Sequence, residues 1–415
     1  MKILFVKNLY PPIVVGGYEK LCFQIAARLT QAGHETYVLT STFRKDRFAD
    51  ILKDYPGEER VFRLLKLLGK NEDNIYDWIN YDEAELNEKN DNNISAYNNI
   101  LSEVDPDIVF VWNMYFFDRK FINIIDNSVK KTVYFLTDDW LNVFYANELS
   151  RKLDKLAREK ALFRRMLPFI GSIRRFLGKA NQCRGAAIYS SKFIKNLYRN
   201  HAFQFRNEAI IYNGVDLTGY RDTQRSNRLH QPVRLLFAGR VVEVKGVDAL
   251  IAALNRIVNE CGQKNVRLDI IGDLSYEPYV KKIRALIDQY ELQAYISFRA
   301  PVPEHELPGV FHEHDIFIFP SVYEPFSLTL ILALASGIPV IGSDAGGNAE
   351  ILRHNYNALV FRKNDYVRLA DHVLCLINNG SKRSTLGGNG MKTARRFTIE
   401  HMACRIDHML MKQRN

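Results

Sequence analysis

The chain has 415 residues, 47% of them hydrophobic and 25% charged, with a formal net charge of +10, which excludes a single ordinary core and a disordered chain. Its five cysteines (Cys22, Cys183, Cys261, Cys375, Cys404) are odd in number and far apart, which argues against a disulfide framework or a paired-cysteine metal site and predicts a reduced, cytoplasmic compartment. No segment is apolar for long enough to span a membrane, and the opening Met1-Lys2-Ile3-Leu4-Phe5-Val6 is too short for a signal peptide and reads as a first strand.

From that strand onward, short apolar runs alternate with helix-like segments. The first strand at 3–6 is followed by a helix from about 19 to 32 and a strand at 36–39. An insert at about 43–100, rich in Asn, Asp and Glu, reads as irregular and is expected to pack around the first domain. Buried strands are predicted at 108–111, 133–136, 187–189 and 210–212. The polar stretch 217–232 is the best linker, and the alternation resumes with strands at 234–237, 268–271, 296–298, 316–319, 340–342 and 359–361. Residues 396–415 read as a closing helix. The pattern predicts an α/β chain of two doubly wound, Rossmann-like units, at 1–216 and 233–395.

The positive charge is concentrated. Between Arg151 and Arg184 there are eleven Lys or Arg against two acids, Asp154 and Glu159, with apolar residues interleaved. Such a stretch fits either an anionic membrane surface, at roughly 1 kcal/mol per nearby cation, or a solvated helix face. Nucleic-acid binding is the weaker reading, because no recognised motif accompanies the charge.

Polar clusters follow several of the apolar runs. They are Phe237-Ala238-Gly239-Arg240 with Lys245-Gly246, then Ile271-Gly272-Asp273, then Tyr323-Glu324-Pro325-Phe326-Ser327, then Asp344-Ala345-Gly346-Gly347-Asn348-Ala349-Glu350. In an open parallel sheet these are the carboxyl ends of strands, where ligands bind. Arg240 and Lys245, five residues apart across a strand-to-helix turn, are placed to reach one anion. A lysine at a helix start opposes the helix dipole, so a bound phosphate explains it more economically than an ordinary surface pair. Asp138 and Asp139 close the strand at 133–136. Adjacent carboxylates on extended chain point opposite ways, so a shared metal is not expected there. Asp105-Pro106-Asp107 precedes a strand and reads as a turn.

These clusters, with Gly16-Gly17-Tyr18-Glu19 and Asn213-Gly214-Val215-Asp216, resemble those of retaining GT-B glycosyltransferases, specifically glycosyltransferase family 4 (glycosyl transferases group 1). The resemblance covers nearly the whole chain and is most specific between Ala238 and Val360. It implies a donor-nucleotide domain in the second half and an acceptor domain in the first. Arg240, Lys245 and Glu324 would be catalytic, the first two at the donor pyrophosphate and Glu324 at the sugar hydroxyls. Gly16, Gly17, Gly239, Gly272, Val302, Pro325, Phe326, Ser327, Leu328 and Leu332 would line the donor site, Val302 through largely backbone contacts to the base. Asp138, Asp139, Trp112 and Asn113 would face the acceptor or the sugar.

The chain departs from the family pattern at three places. Leu332 stands where a second glutamate usually grips the nucleotide ribose, a loss of roughly 1.5–3 kcal/mol. Thr137 stands where a histidine is frequent, and Trp112-Asn113 near another such position. The implied activity is metal-independent transfer of a sugar from a nucleoside-diphosphate donor to a glycan or lipid-linked acceptor in cell-surface polysaccharide assembly, without a cofactor. The expected place is the cytoplasm, with peripheral attachment to the inner face of the membrane through 151–184. The rival readings are a catalytically degenerate scaffold for another transferase, supported by Leu332, and a sugar-nucleotide epimerase or hydrolase.

Overall fold

The computed structural model describes residues 1–53, 55–69, 79–145, 181–220 and 228–414. Most of the basic stretch at 151–184 lies outside the described residues. The chain divides into two compact units, Met1–Tyr212 with Met402–Asn415, and Asn213–His401. The division falls just ahead of the segment read as a linker. Asn213-Gly214-Val215 is held by the chain leading into the last helix: Val215 N–H donates to Phe397 O (3.0 Å) and Ile399 N–H to Val215 O (3.0 Å). That last helix, Ile399–Arg414, lies mostly in the first unit, where Arg405 donates to the Ile210 carbonyl at 2.8 Å.

The first unit is built on a seven-stranded sheet in the order β3-β2-β1-β4-β5-β7-β9. Its strands are β1 (Lys2–Val6), β2 (Glu35–Ser41), β3 (Val61–Leu65), β4 (Ile108–Val111), β5 (Lys131–Leu136), β7 (Ala186–Tyr189) and β9 (Glu208–Ile210). Every pairing is parallel. The short strands β6 (Asn181–Cys183) and β8 (Phe203–Phe205) form a separate parallel pair. Sheets of this kind are covered on both faces, so β1, β4 and β5 are apolar almost without alternation. Phe5 pairs in register with Phe110, and their rings lie 5.2 Å apart.

The insert at 43–100 is not irregular. It contributes β3, at the edge of the sheet, and most of the long helix Glu83–Val104. The buried positions of that helix, Asn90, Asn93, Tyr97, Ile100 and Val104, recur at helical spacing, but two of the five are asparagines, which hid the stripe. Asn93 has a structural role: its side chain accepts from Lys66 N–H (2.6 Å) and donates to Lys66 O (2.9 Å), just beyond β3.

The second unit carries a six-stranded parallel sheet in the order β12-β11-β10-β13-β14-β15. These are β10 (Val233–Ala238), β11 (Val266–Ile271), β12 (Ile296–Arg299), β13 (Ile316–Phe319), β14 (Val340–Ser343) and β15 (Leu359–Phe361). The helix Leu328–Ala335 is buried from Leu330 to Ala335. It lies against the helix Gly380–Ala394, where a side chain at Gly390 would meet Leu334 at 3.1 Å. In each sheet the strand order reverses at the first strand, β1 or β10, which opens a crevice at the carboxyl ends beside it.

Candidate functional site

In the second unit, the loops leaving β10, β11, β13 and β14 carry the polar residues, and close backbone contacts lock these loops together. Gly246 adopts φ +66°, and a Cβ there would lie 2.2 Å from the Pro320 carbonyl oxygen. Only glycine lets the turn after β10 seat against the end of β13. Val322 and Tyr323 N–H then both donate to Val244 O, at 2.9 and 3.3 Å. Gly347 N–H donates to Glu324 O at 2.7 Å, and a Cβ at Gly347 would sit 2.0 Å from Pro325 O. Gly272 approaches Gly239 in the same way, with its Cβ position 1.9 Å from Gly239 O.

This packing brings Lys245 and Glu324 together. Lys245 Nζ donates to Glu324 Oε2 at 2.5 Å, with 17% of the lysine side chain and 7% of the glutamate side chain exposed. The ammonium also lies 5.5 Å from the Phe319 ring centroid. A paired, mostly buried ammonium at the carboxyl end of a parallel sheet offers a phosphate a charge-assisted hydrogen bond in competition with the carboxylate. Arg240 stands half-buried two residues beyond β10, where Val242 N–H donates to its carbonyl at 3.2 Å. Ser327 Oγ accepts from Leu330 N–H at 3.2 Å and so caps the helix Leu328–Ala335. Phe326 turns inward, its ring edge-on to Phe397 at 5.5 Å, so only its backbone is left for a ligand. Val302 is half-buried in the loop after β12, and Pro325 and Leu328 are half-buried beside Glu324 and Ser327.

In the first unit the polar residues gather after β1, β4 and β5. Lys7, directly after β1, is fully buried; its Nζ donates to Tyr18 O at 3.1 Å and lies 3.8 Å from Glu19 Oε1. The other Glu19 oxygen accepts from Gly16 N–H at 2.7 Å, closing the N-terminus of the helix Gly17–Gln31. The Gly16 amide is thus engaged by the carboxylate three residues on, as a helix start requires. The Trp112 indole is also not a pocket wall. It is 1% exposed and packs against Phe135 at 4.4 Å and Phe110 at 5.5 Å, because it continues the apolar face of β4. Asn113 shapes the turn, accepting from Tyr115 N–H through Oδ1 at 2.9 Å and from Asn8 N–H through its carbonyl at 2.9 Å.

Asp138 and Asp139 follow β5. Asp138 Oδ1 accepts from Trp140 N–H at 3.0 Å, and Asp139 Oδ1 from the Tyr115 hydroxyl at 2.7 Å. Burial first, and then the neighbouring Asp139 carboxylate, push the Asp138 carboxyl up to about 7. Burial together with the two aspartates holds the Tyr115 phenol well above its ordinary range, and burial raises the Cys22 thiol to about 12. At the opposite end of β4, Asp105 caps the helix Glu83–Val104 and pairs with Lys130, while Asp107 accepts from Lys2 N–H at 2.8 Å. Among the described residues, no group of three or more His, Cys, Asp or Glu is placed to hold a metal ion.

Residues 221–393 match the family described as glycosyl transferases group 1. That match lies within the second unit, Asn213–His401. A D-inositol 3-phosphate glycosyltransferase of Xylanimonas cellulosilytica is 30% identical over 207 residues, which is 47% of this chain and 48% of that protein. An uncharacterized glycosyltransferase of Methanocaldococcus jannaschii is 31% identical over 51% of this chain and 54% of its own. The chain thus spans about half the length of the curated relatives it matches. Among solved structures, sucrose-phosphate synthase from Thermosynechococcus elongatus superposes with a TM-score of 0.72 at 16% identity, covering 99% of this chain and 98% of that one. The Anabaena protein HepE in complex with UDP-glucose gives 0.70 at 19%, covering 99% of this chain and all of its own. The fold is that of the GT-B glycosyltransferases, with two Rossmann-like α/β units.

Within the second unit, the expected Arg240, Lys245, Glu324, Ser327, Gly239 and Gly272 share the carboxyl edge of one sheet. Leu332 is 4% exposed in the buried helix, so its side chain is part of the interior. Sequence reasoning missed Lys7, Glu19 and Tyr115. Lys7 was legible as a charge placed directly after an apolar strand, and Glu19 by its three-residue spacing from Gly16. Tyr115 carried no signal, because its contact with Asp139 joins two loops that are adjacent only in space.

Proposed function

We propose that this protein is a metal-independent, retaining glycosyltransferase that moves a hexosyl group from a nucleoside-diphosphate donor to a glycan or lipid-linked acceptor. The observation that carries the reading is the Lys245–Glu324 pair, held among glycine-locked loops at the carboxyl edge of the second unit. As the sugar leaves, negative charge develops on the diphosphate. Lys245 and Arg240 would stabilise it, at about 1.5–3 kcal/mol per charge-assisted hydrogen bond. Glu324, released from Lys245 by the diphosphate, would accept hydrogen bonds from the sugar hydroxyls and fix its orientation. The UDP and UDP-glucose in the HepE structures support a sugar nucleotide as the ligand class. A role in cell-surface polysaccharide assembly, at the inner face of the membrane through 151–184, is part of the proposal.

Calorimetry with UDP, GDP, ADP and TDP in the absence of added metal tests this. One nucleotide should bind, and Lys245→Ala should weaken it about 10- to 150-fold. Leu332, apolar and buried, favours the second reading, a degenerate scaffold; no nucleotide binding in any form would put that reading first. Release of free sugar or an epimer in place of transfer would point to a hydrolase or epimerase.

A further inference from the structure

The segment that carries Glu324 and Ser327 is held at its front by backbone contacts and at its rear by a ring. Ahead of it, Val322 and Tyr323 N–H donate to Val244 O, and Lys363 Nζ donates to Val322 O at 3.4 Å. Glu324 O accepts from Gly347 N–H. Beyond Pro325 the chain turns inward, and the buried Phe326 ring meets that of Phe397 edge-on, with centroids 5.5 Å apart.

Phe397 is itself held through its backbone on two sides. Its N–H donates to Ala394 O at 2.9 Å, at the end of the helix Gly380–Ala394. Its carbonyl accepts from Val215 N–H at 3.0 Å, and Ile399 N–H donates to Val215 O at 3.0 Å. Gly214 lets these two segments meet, since a Cβ there would lie 2.2 Å from Thr398 O. All of these residues belong to the second unit. The buried Phe397 ring therefore offers Phe326 a fixed surface, two residues from Glu324 and one from Ser327.

We propose that Phe397 is a positioning residue: through the Phe326 ring it sets Glu324 against Lys245, and it ties that pair to the crossing of residues 214–215 with 397–399. The proposal rests on the glycosyltransferase reading for its effect on activity, and on the ring contact alone for its effect on the pair. An edge-on aromatic pair has a preferred geometry, whereas an aliphatic side chain in its place leaves part of the volume empty and lets the Phe326 ring tip. Glu324 follows that ring closely, because only Pro325, with its fixed φ, stands between them.

The test compares Phe397→Leu with Phe311→Leu. Phe311 is also buried, and its ring meets Phe317 edge-on at 5.5 Å near the start of β13, whereas Glu324 lies beyond the end of that strand. Both variants lose the same kind of contact and should melt lower than the native protein. Without nucleotide, labelling of Lys245 by an amine-acylating reagent, read by peptide mass spectrometry, should keep its native rate in Phe311→Leu. In Phe397→Leu it should quicken by about 2- to 10-fold, the factor that one aromatic pair is worth. Phe326→Leu should reproduce the effect, and the double variant should label no faster than either single one, because all three remove one contact. If Phe397→Leu does not fold, Phe397→Met and Phe326→Leu carry the same test.

The second readout is consumption of UDP-glucose, GDP-mannose, ADP-glucose or TDP-glucose, whichever carries the nucleotide that binds. Its kcat/KM should fall about 10-fold in Phe397→Leu and hold within about 2-fold in Phe311→Leu. Equal labelling of Lys245 in the two variants, or equal kcat/KM, would overturn the proposal, since a merely structural ring would not single out this pair. The expected labelling in a protein that binds no nucleotide would support the positioning role and overturn the transferase reading alone.

Discussion

Gly246→Ala separates backbone strain from loop registration at the proposed donor site. Gly246 has φ +66°, and its missing Cβ would lie 2.2 Å from Pro320 O. Restoring an ordinary contact of at least 3.4 Å requires the two loops to part by about 1.2 Å. Lys245 precedes Gly246 and Glu324 follows Pro320 by four residues, so this movement strains the Lys245–Glu324 pair directly. Gly262 is the internal control: its φ is +71°, but nothing lies within 4 Å of its Cβ position. Gly262→Ala should therefore show only the left-handed penalty of about 1–2 kcal/mol in stability. Gly246→Ala should show the same penalty and, in addition, a loss of about 10²-fold in kcat/KM for donor consumption, the usual consequence of a misplacement of about 1 Å. Thermal melts and donor-consumption kinetics on both variants provide the comparison. Equal kcat/KM in the two variants would refute the argument that this contact registers the site.

On the proposed function Glu324 would compete with a diphosphate for Lys245, so Glu324→Gln should tighten nucleoside-diphosphate binding while lowering donor consumption; calorimetry and kinetics would move in opposite directions. Leu332→Glu places a carboxylate in the buried helix and should destabilise the domain by about 3–5 kcal/mol, read from denaturant titration, whatever it does for nucleotide affinity. The stability effect of Asp138 has a definite sign. Its carboxyl is raised to about 7 in the folded chain and lies near 3.9 when unfolded, so the folded state binds more protons between those values. Native stability therefore falls as pH rises through that window. Asp138→Asn, which keeps an oxygen for Trp140 N–H, should melt higher than the native chain above about pH 7 and show no such advantage at about pH 4.

The two α/β units, their apolar parallel strands and the polar clusters after β10, β13 and β14 were legible in the sequence. Burial on both faces forces continuous apolar runs, and strand-to-helix turns force glycine and charge to their ends. Tertiary structure decided which of those charges meet. Lys245 and Glu324 are 79 residues apart, and only the seating of Gly246 on Pro320 makes them partners. Trp112 read as a pocket residue because an aromatic beside a strand end looks the same in sequence whether it faces a ligand or the core; its rings of contact, Phe110 and Phe135, settle it. The helix Glu83–Val104 escaped notice because two asparagines occupy its buried face, one of them satisfied by the backbone of Lys66. Asp138 acquires its chemistry from the fold: local sequence supplies the carboxyl, but burial and the Asp139 carboxylate beside it set its charge.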